Sequence, residues 1–163
     1  MKSIHRVITI LFAAITVVAA QAQSTSSSSL HLFTLVGQGN GTAAGPGGGL
    51  QGAGESNFTG GVLLTLTWVN GQDLGNNGGG KGTCSLQNGT IQLTNNSGTI
   101  SMTQAGMSCN VNSAQGPNTV TATFQVTGGT GQYQGLTGTG TVVVGYSGIG
   151  PNTGLIRMDG VLK

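Results

Sequence analysis

The sequence predicts an all-β domain, an antiparallel barrel of about eight strands behind an N-terminal signal helix. Three observations predict it. Short runs of alternating apolar and polar residues recur along the chain, separated by Gly- and Asn-rich turns. Beyond the first residues, no segment keeps helical spacing over a useful length. The stretch 127–141 lies between two clear strand patterns and places glycine at 128, 129, 131, 135, 138 and 140. Glycine set that densely marks a defined turn with crowded or left-handed backbone. Closure into a barrel also suits a chain that is only 5% charged, because few Lys or Glu side chains stand ready to block an open edge.

The chain has 163 residues, enough for one domain, and 36% of them are hydrophobic, which together with the alternation excludes disorder. Its 32 glycines follow no Gly-X-Y period, which excludes collagen. Residues 1–22 read as a secretory signal. Lys2 and Arg6 form the positive start, residues 7–20 the apolar core, and Ala20-Gln21-Ala22 the cleavage site. A membrane span needs about 20 apolar residues, more than this core offers. Removing the signal leaves Lys81, Arg157 and Lys163 against Glu55, Asp73 and Asp159, a net charge of zero. That balance argues against a nucleic-acid partner, which needs clustered Lys and Arg, and against an anionic membrane surface. The expected location is outside the bacterial cytoplasm: secreted, periplasmic or on the cell surface.

Residues 23–29 are Ser-rich and read as a leader, with a single barrel domain over 30–163. The first strand covers 30–36. Its faces, Leu30/Leu32/Val36 and Phe33/Leu35, are both apolar, which predicts burial on both sides. Residues 37–56 read as a mobile Gly-rich loop. A phosphate cradle is excluded there because no helix pattern and no P-loop Lys follow. Val62, Leu64, Leu66 and Trp68 share one face of the strand 61–69, and Asn70-Gly71 predicts a turn after it. A second polar loop covers 75–80. Short strand patterns at 83–86, 90–94, 99–103 and 107–111 are punctuated by Asn88-Gly89, Asn95-Asn96-Ser97-Gly98 and Ala105-Gly106. In 119–127, Val120, Ala122, Phe124 and Val126 face inward and a row of Thr and Gln faces outward. A strand at 141–146 follows, then a turn through Gly148 and Pro151. In the last strand, 155–163, Ile156, Met158 and Leu162 oppose Arg157, Asp159 and Lys163.

The segment from Val126 to Gly140, with Gly128-Gly129-Thr130-Gly131, Tyr133, Gly135 and Gly138 in order, resembles a signature of the allene oxide cyclase and dirigent barrel superfamily. Secreted bacterial proteins of unassigned function carry similar segments. The resemblance covers some fifteen residues with their flanking strands. It implies an eight-stranded antiparallel barrel with a narrow interior, dimeric or trimeric in the characterised plant members. Those proteins guide a reactive substrate inside an apolar barrel lined by a few ionisable side chains. None of those side chains aligns with a residue here.

Chemistry is sparse. After the signal the chain holds one histidine, His31, and no nucleophile elbow, so a Ser-His-Asp arrangement is not expected. His31, Cys84 and Cys109 lack metal-ligand spacing. Glu55 and Asp73 read as solvated turn residues. Arg157 and Asp159 lie two apart on one strand face, which predicts an ion pair on the outer wall, the alternative being the polar groups of an interior pocket. Asn40, Asn57, Asn88 and Asn95 head Asn-x-Ser/Thr matches and read as turn asparagines. The expected function is a non-catalytic secreted module without metal or cofactor. It would bind a small apolar ligand, with Trp68, Tyr133, Tyr146, Arg157 and Asp159 as pocket candidates, or act as a surface or matrix protein, possible as a homo-oligomer. The alternative is a cofactor-free isomerase, cyclase or dirigent-like protein using the barrel interior.

Cys84 and Cys109 are expected to form a disulfide. If Asn96-Ser97 is a hairpin tip, Leu93 meets Ile100, Ile91 meets Met102, Leu86 meets Met107, and Cys84 meets Cys109. Apolar parity switches near Asn88-Gly89 and Ala105-Gly106, which predicts a shared kink or bulge keeping the apolar residues on one side. In the competing pairing Asn88-Gly89 is its own tight turn. The cysteines then stand roughly 14 Å apart, beyond the roughly 7 Å Cα limit for a bridge. The long hairpin accounts for the cysteines and the apolar pairs together.

Overall fold

A computed structural model describes residues 29–44, 47–76, 82–110, 118–146 and 153–163. Eight antiparallel strands close into a barrel: β1 (His31–Ala44), β2 (Gly47–Ser56), β3 (Gly60–Asn76), β4 (Thr83–Asn95), β5 (Gly98–Asn110), β6 (Asn118–Gly129), β7 (Gly138–Tyr146) and β8 (Thr153–Leu162). Each strand pairs with its neighbour in sequence, and β8 returns to β1, from His31 opposite Leu162 to Asn40 opposite Thr153. Closure leaves no edge to defend, the requirement that the low charge imposed. The expected signal segment, the expected turn through Gly148 and Pro151, and Lys81 lie outside the described residues.

Alternation puts the apolar residues inside. Leu64, Leu66, Trp68, Val120, Phe124, Val126, Val142, Val144, Ile156 and Met158 belong to one buried cluster, as their spacing predicts. Each large side chain there contributes roughly 1.5–3 kcal/mol through burial. Eight strands enclose an interior that side chains just fill.

One girdle shows how. Round the barrel, Trp68 pairs with Gly89, Gly89 with Gln104, Gln104 with Phe124, Phe124 with Gly140, Gly140 with Gly160, and Gly160 with Phe33. A Cβ on Gly140 would sit 2.6 Å from the Phe124 ring, and one on Gly160 would sit 2.8 Å from it. Phe33 meets Phe124 edge to face at 6.0 Å. Added Cβ atoms on Gly52, Gly89, Gly106 and Gly140 would strike the backbone carbonyls of Gln38, Thr67, Thr121 and Asp159. These contacts fall between β1 and β2, β3 and β4, β5 and β6, and β7 and β8. Glycine therefore lets the backbones approach closely at alternate strand pairs.

Four sequence expectations need correction. Residues 37–56 are not a mobile loop. Apart from residues 45 and 46, they lie in β1 and β2, with Gly37 opposite Gly54 and Gly39 opposite Gly52. Glycine on the inward face erased the apolar alternation that marks a strand. The first strand is buried on one face only: Phe33 and Leu35 are inside, while Leu30, Leu32 and Val36 are exposed. Asn70-Gly71 makes no turn, because β3 runs on to Asn76 through register shifts at Asn70/Asp73 and Asp73/Gly75. Asp73 Oδ1 accepts the Gly75 N–H at 2.9 Å, so the predicted loop begins inside the strand.

The fourth concerns the long hairpin. Its pairing is as expected, with Leu93 opposite Ile100, Ile91 opposite Met102, Leu86 opposite Met107 and Cys84 opposite Cys109. Cys84 and Cys109 are bonded, with Cα atoms 4.1 Å apart. The predicted shared kink is absent. β4 and β5 pair without a register break, so the change of parity stands and Leu86 and Met107 are exposed. Asn95 and Asn57 do sit at turns, where Asn95 Oδ1 accepts the Ser97 N–H at 2.9 Å and Asn57 Oδ1 the Thr34 N–H at 2.8 Å. Asn40 and Asn88 lie within strands.

The stretch at 127–141 is the plug of one barrel end. A 3-10 turn, Gly131–Tyr133, is flanked by left-handed glycines at Gly131 (φ 61) and Gly135 (φ 81). It hangs from the barrel by Thr130 N–H to Thr99 O at 2.8 Å and Gln132 N–H to Ser97 O at 2.9 Å. Thr137 and Lys163 exchange backbone bonds of 2.9 and 2.8 Å, fastening the plug to the C-terminus.

Two outcomes follow for stability. Replacing Cys84 and Cys109 by Ala opens a loop with a sequence separation of 25. Urea unfolding should then show a loss of about 3–4 kcal/mol. A loss under about 1 kcal/mol, or two thiols alkylated in the unreduced denatured protein, would contradict the bridge. Gly89→Ala drives a methyl into Thr67 O, whereas Gly128→Ala meets no atom within 4 Å. The first should lose more than about 2 kcal/mol and the second should gain about 0.5 kcal/mol. Equal effects would remove the close approach at Gly89 from the account.

Candidate functional site

The lumen is the first place to look for chemistry, and it is mostly hydrocarbon. Phe33, Leu35, Leu66, Ile91, Ile100, Met102, Val142 and Met158 are each no more than 1% exposed. His31, Glu55, Asp73, Arg157 and Lys163 are exposed and Asp159 is partly so. Among the described residues, every Asp, Glu, Lys, Arg and His therefore stands outside. No group of three or more His, Cys, Asp or Glu among them could hold a metal ion. No helix among them is long and apolar enough to cross a membrane.

The structure scatters the five pocket candidates. Tyr133 belongs to the plug. It is 8% exposed, and Asn95 Nδ2 donates to its hydroxyl at 2.9 Å and to Thr59 O at 3.0 Å. Phe58 lies beside it, ring centroids 6.3 Å apart, and His31 lies outside Phe58 at 5.6 Å. Trp68 stacks on Tyr146 at 5.8 Å, away from the plug, and the indole fills the space that a Cβ on Gly48 would need. All three rings pack against other aromatic rings of the barrel.

Arg157 and Asp159 form the ion pair on the outer wall that their spacing predicted. Arg157 Nε donates to Asp159 Oδ2 at 2.7 Å and Nη2 to Oδ1 at 3.1 Å. The hydrogen bonds from Arg157, helped by its charge, hold the Asp159 carboxyl below its ordinary value. The same bonds raise the guanidinium. A carboxyl lowered in the folded state adds stability above its unfolded pKa and loses it as the pH falls through the folded value. Both side chains are well exposed, at 69% and 41%, so solvent screens the effect.

Two buried polar residues escaped the sequence reading. Gln87 is 2% exposed and Gln104 is 4% exposed. Gln87 pairs with Gly106 and Gln104 with Gly89, so the two amides are diagonal neighbours on the inward faces of β4 and β5. Gln104 Nε2 donates to Thr67 O at 3.3 Å. Gln104 Oε1 and both amide atoms of Gln87 have no protein partner. The hairpin register alone contained the signal, since positions 87 and 104 share the inward parity of Ile91 and Met102.

The outer wall carries the depressions. One of about 650 Å³ lies over β8, β1, β2 and β3, lined by Gln38, Asn40, Gln51, Ala53, Leu63 and Leu155 among others. Another of about 640 Å³ crosses β4 to β7 between Asn88, Thr103, Thr123, Gln125, Thr139 and Thr141. One wall is thus apolar with amides, the other a field of hydroxyls. Thr67 and Thr90 share a hydrogen bond of 2.7 Å, and Thr94 and Thr99 one of 3.1 Å. Comparison with family models, curated proteins and solved structures finds no match to this chain.

Replacing Gln87 by Leu removes two unpartnered polar atoms from an apolar interior. Urea unfolding should show a gain of about 1–2 kcal/mol. A loss of similar size would show that the amide has a partner worth keeping.

Proposed function

We propose that this chain is a non-catalytic β-barrel module of an oxidising compartment outside the cytoplasm, acting through its outer wall as a surface or matrix protein. One observation carries the reading: the inward faces are mostly a buried apolar cluster, with the neutral amides of Gln87 and Gln104, while the ionisable groups of the described residues stand outside. An enzyme needs at least one ionisable group held in a pocket with a shifted pKa. The shifted pair here, Arg157 with Asp159, is on the exterior. The disulfide is compatible with an oxidising compartment. Membership of the allene oxide cyclase and dirigent-like superfamily is part of the proposal. The closed eight-stranded meander and the Gly-rich plug with Tyr133 support it.

The second reading is a lumen that takes a small apolar ligand, or shapes a substrate as a cofactor-free isomerase, cyclase or dirigent-like protein would. Its support is the unpartnered amide of Gln87 beside Gln104. The two readings separate in a binding experiment on the secreted protein. A fluorescent fatty acid is titrated while Trp68, the sole tryptophan, is monitored. The outer-wall reading expects no saturable quenching up to about 100 μM. Stoichiometric binding at low micromolar concentration, weakened by Gln87→Leu, would replace it with the lumen reading.

A further inference from the structure

Asn70-Gly71 has the sequence of a turn and lies inside β3. The described residues hold two further Asn-Gly pairs, Asn40-Gly41 in β1 and Asn88-Gly89 in β4. All three asparagines are exposed. What separates them is how firmly the neighbouring strands hold their backbone.

Asn88-Gly89 is held on both sides. β3 sets Val69 opposite Asn88 and Trp68 opposite Gly89, and β5 sets Ala105 and Gln104 opposite the same two residues. Asn40 is held by Gln51 of β2 and Thr153 of β8. Asn70 is different. The register of β2 starts at Gly47, opposite Val69, one residue short of Asn70. On the other side Asn70 pairs with Gln87, but the next pair is Asp73 with Ser85. Gly71 and Gln72 together thus stand opposite Leu86 alone, the arrangement of a β-bulge. A second register shift follows between Asp73 and Gly75. Strand backbone paired on one side and interrupted twice opens locally at low cost.

The fold does not demand glycine at 71. A Cβ there would meet Leu86 O at 3.5 Å and Leu86 Cβ at 3.6 Å, which are ordinary contacts. One on Gly89 would strike the Thr67 carbonyl. The lack of a Cβ at 71 has a chemical result instead, because it leaves the Gly71 nitrogen open to the side chain before it.

We propose that Asn70 is a modification site, the asparagine of these three that converts spontaneously to a carboxylate in the folded protein. The Gly71 backbone nitrogen attacks Cγ of Asn70. The new N–Cγ bond closes a succinimide, the Cγ–Nδ2 bond breaks, and the amide leaves as ammonia with the Gly71 proton. Water then adds to one of the two ring carbonyls. One opening gives aspartate, and the other gives isoaspartate with the backbone routed through the side chain. Either product adds a negative charge to a chain that is only 5% charged. The core tolerates the change, because Trp68 is the last buried residue of β3 among those described.

Incubation of the full secreted protein, folded and at mildly alkaline pH, tests the site. Peptide mapping with fragmentation assigns each conversion to one residue, so that Asn77-Gly78, outside the described residues, is read separately. Asn70 should convert at least about tenfold faster than Asn40 and Asn88. Its product should be a mixture of aspartate and isoaspartate, the mark of the succinimide. In urea with the disulfide reduced, the three rates should fall within about threefold of one another, because the pairing that separates them is gone. Gly71→Ala should slow conversion at Asn70 at least about fivefold and leave the melting curve near wild type. If that variant folds poorly, the wild-type comparison still decides. Conversion of Asn40 or Asn88 in the folded protein as fast as Asn70 overturns the proposal, as does a lead of Asn70 that persists unchanged in urea.

Discussion

The contact on which the structure depends is the Phe124 ring lying over Gly140 and Gly160. An eight-stranded barrel is narrow, and its girdle sets the rings of Trp68, Phe124 and Phe33 among Gly89, Gly140 and Gly160. A side chain on either glycine would expel the ring, and a smaller residue at 124 would leave the two glycines facing a void. Void and overpacking are both destabilising. The glycine content is therefore not slack in the chain. Gly48 is the complement of Trp68, Gly140 and Gly160 are the complement of Phe124, and Gly52, Gly89 and Gly106 lie where strands approach too closely for a Cβ.

That constraint sets what the two ends and the wall can be. With the lumen filled, one end is closed by Tyr133, whose hydroxyl bonds to Asn95 and whose ring packs near Phe58. Trp68 and Tyr146 pack against each other away from that plug. The change of parity in β4 and β5 then has a clear result. It brings Leu86 and Met107 to the surface beside the bridged cysteines. The covalent tie therefore closes the hairpin where its inward faces hold Gln87 and Gln104, its least apolar stretch.

Strands rich in β-branched and aromatic residues were legible in the sequence. The 119–127 alternation, the 61–69 strand and the hairpin register through Cys84 and Cys109 all followed from period two and from opposed pairs. β1 beyond Val36 and all of β2 were not legible, because their inward positions hold Gly37, Gly39, Gly52 and Gly54. A strand whose buried face is glycine offers no hydrophobic signal, and its partner strand decides the matter. The reach of β3 past Asn70-Gly71 was hidden for a related reason, since bulges at Asp73 break the alternation without ending the pairing. Of the candidate site, the placement of Arg157 and Asp159 could be read from the opposite face of β8. The roles of Tyr133 and Tyr146 could not, because an aromatic in a Gly-rich connection looks the same whether it plugs a barrel or lines a pocket.

The two walls differ because the strands were used differently. β4 to β7 turn threonines outward, and these bond to one another or to backbone carbonyls, as Thr127 does to Ser101 O at 3.2 Å. Such a wall meets part of its hydrogen bonding within itself. β8, β1, β2 and β3 turn leucine and valine outward over glycine and alanine, where solvent has no hydrogen bond to offer. With only 5% of its residues charged, the chain has little long-range repulsion to keep such a wall from other surfaces. Exposed apolar side chains occur on both sides all the same, Val36, Leu63 and Leu155 on one and Leu86 and Met107 on the other, so the walls differ in what surrounds them.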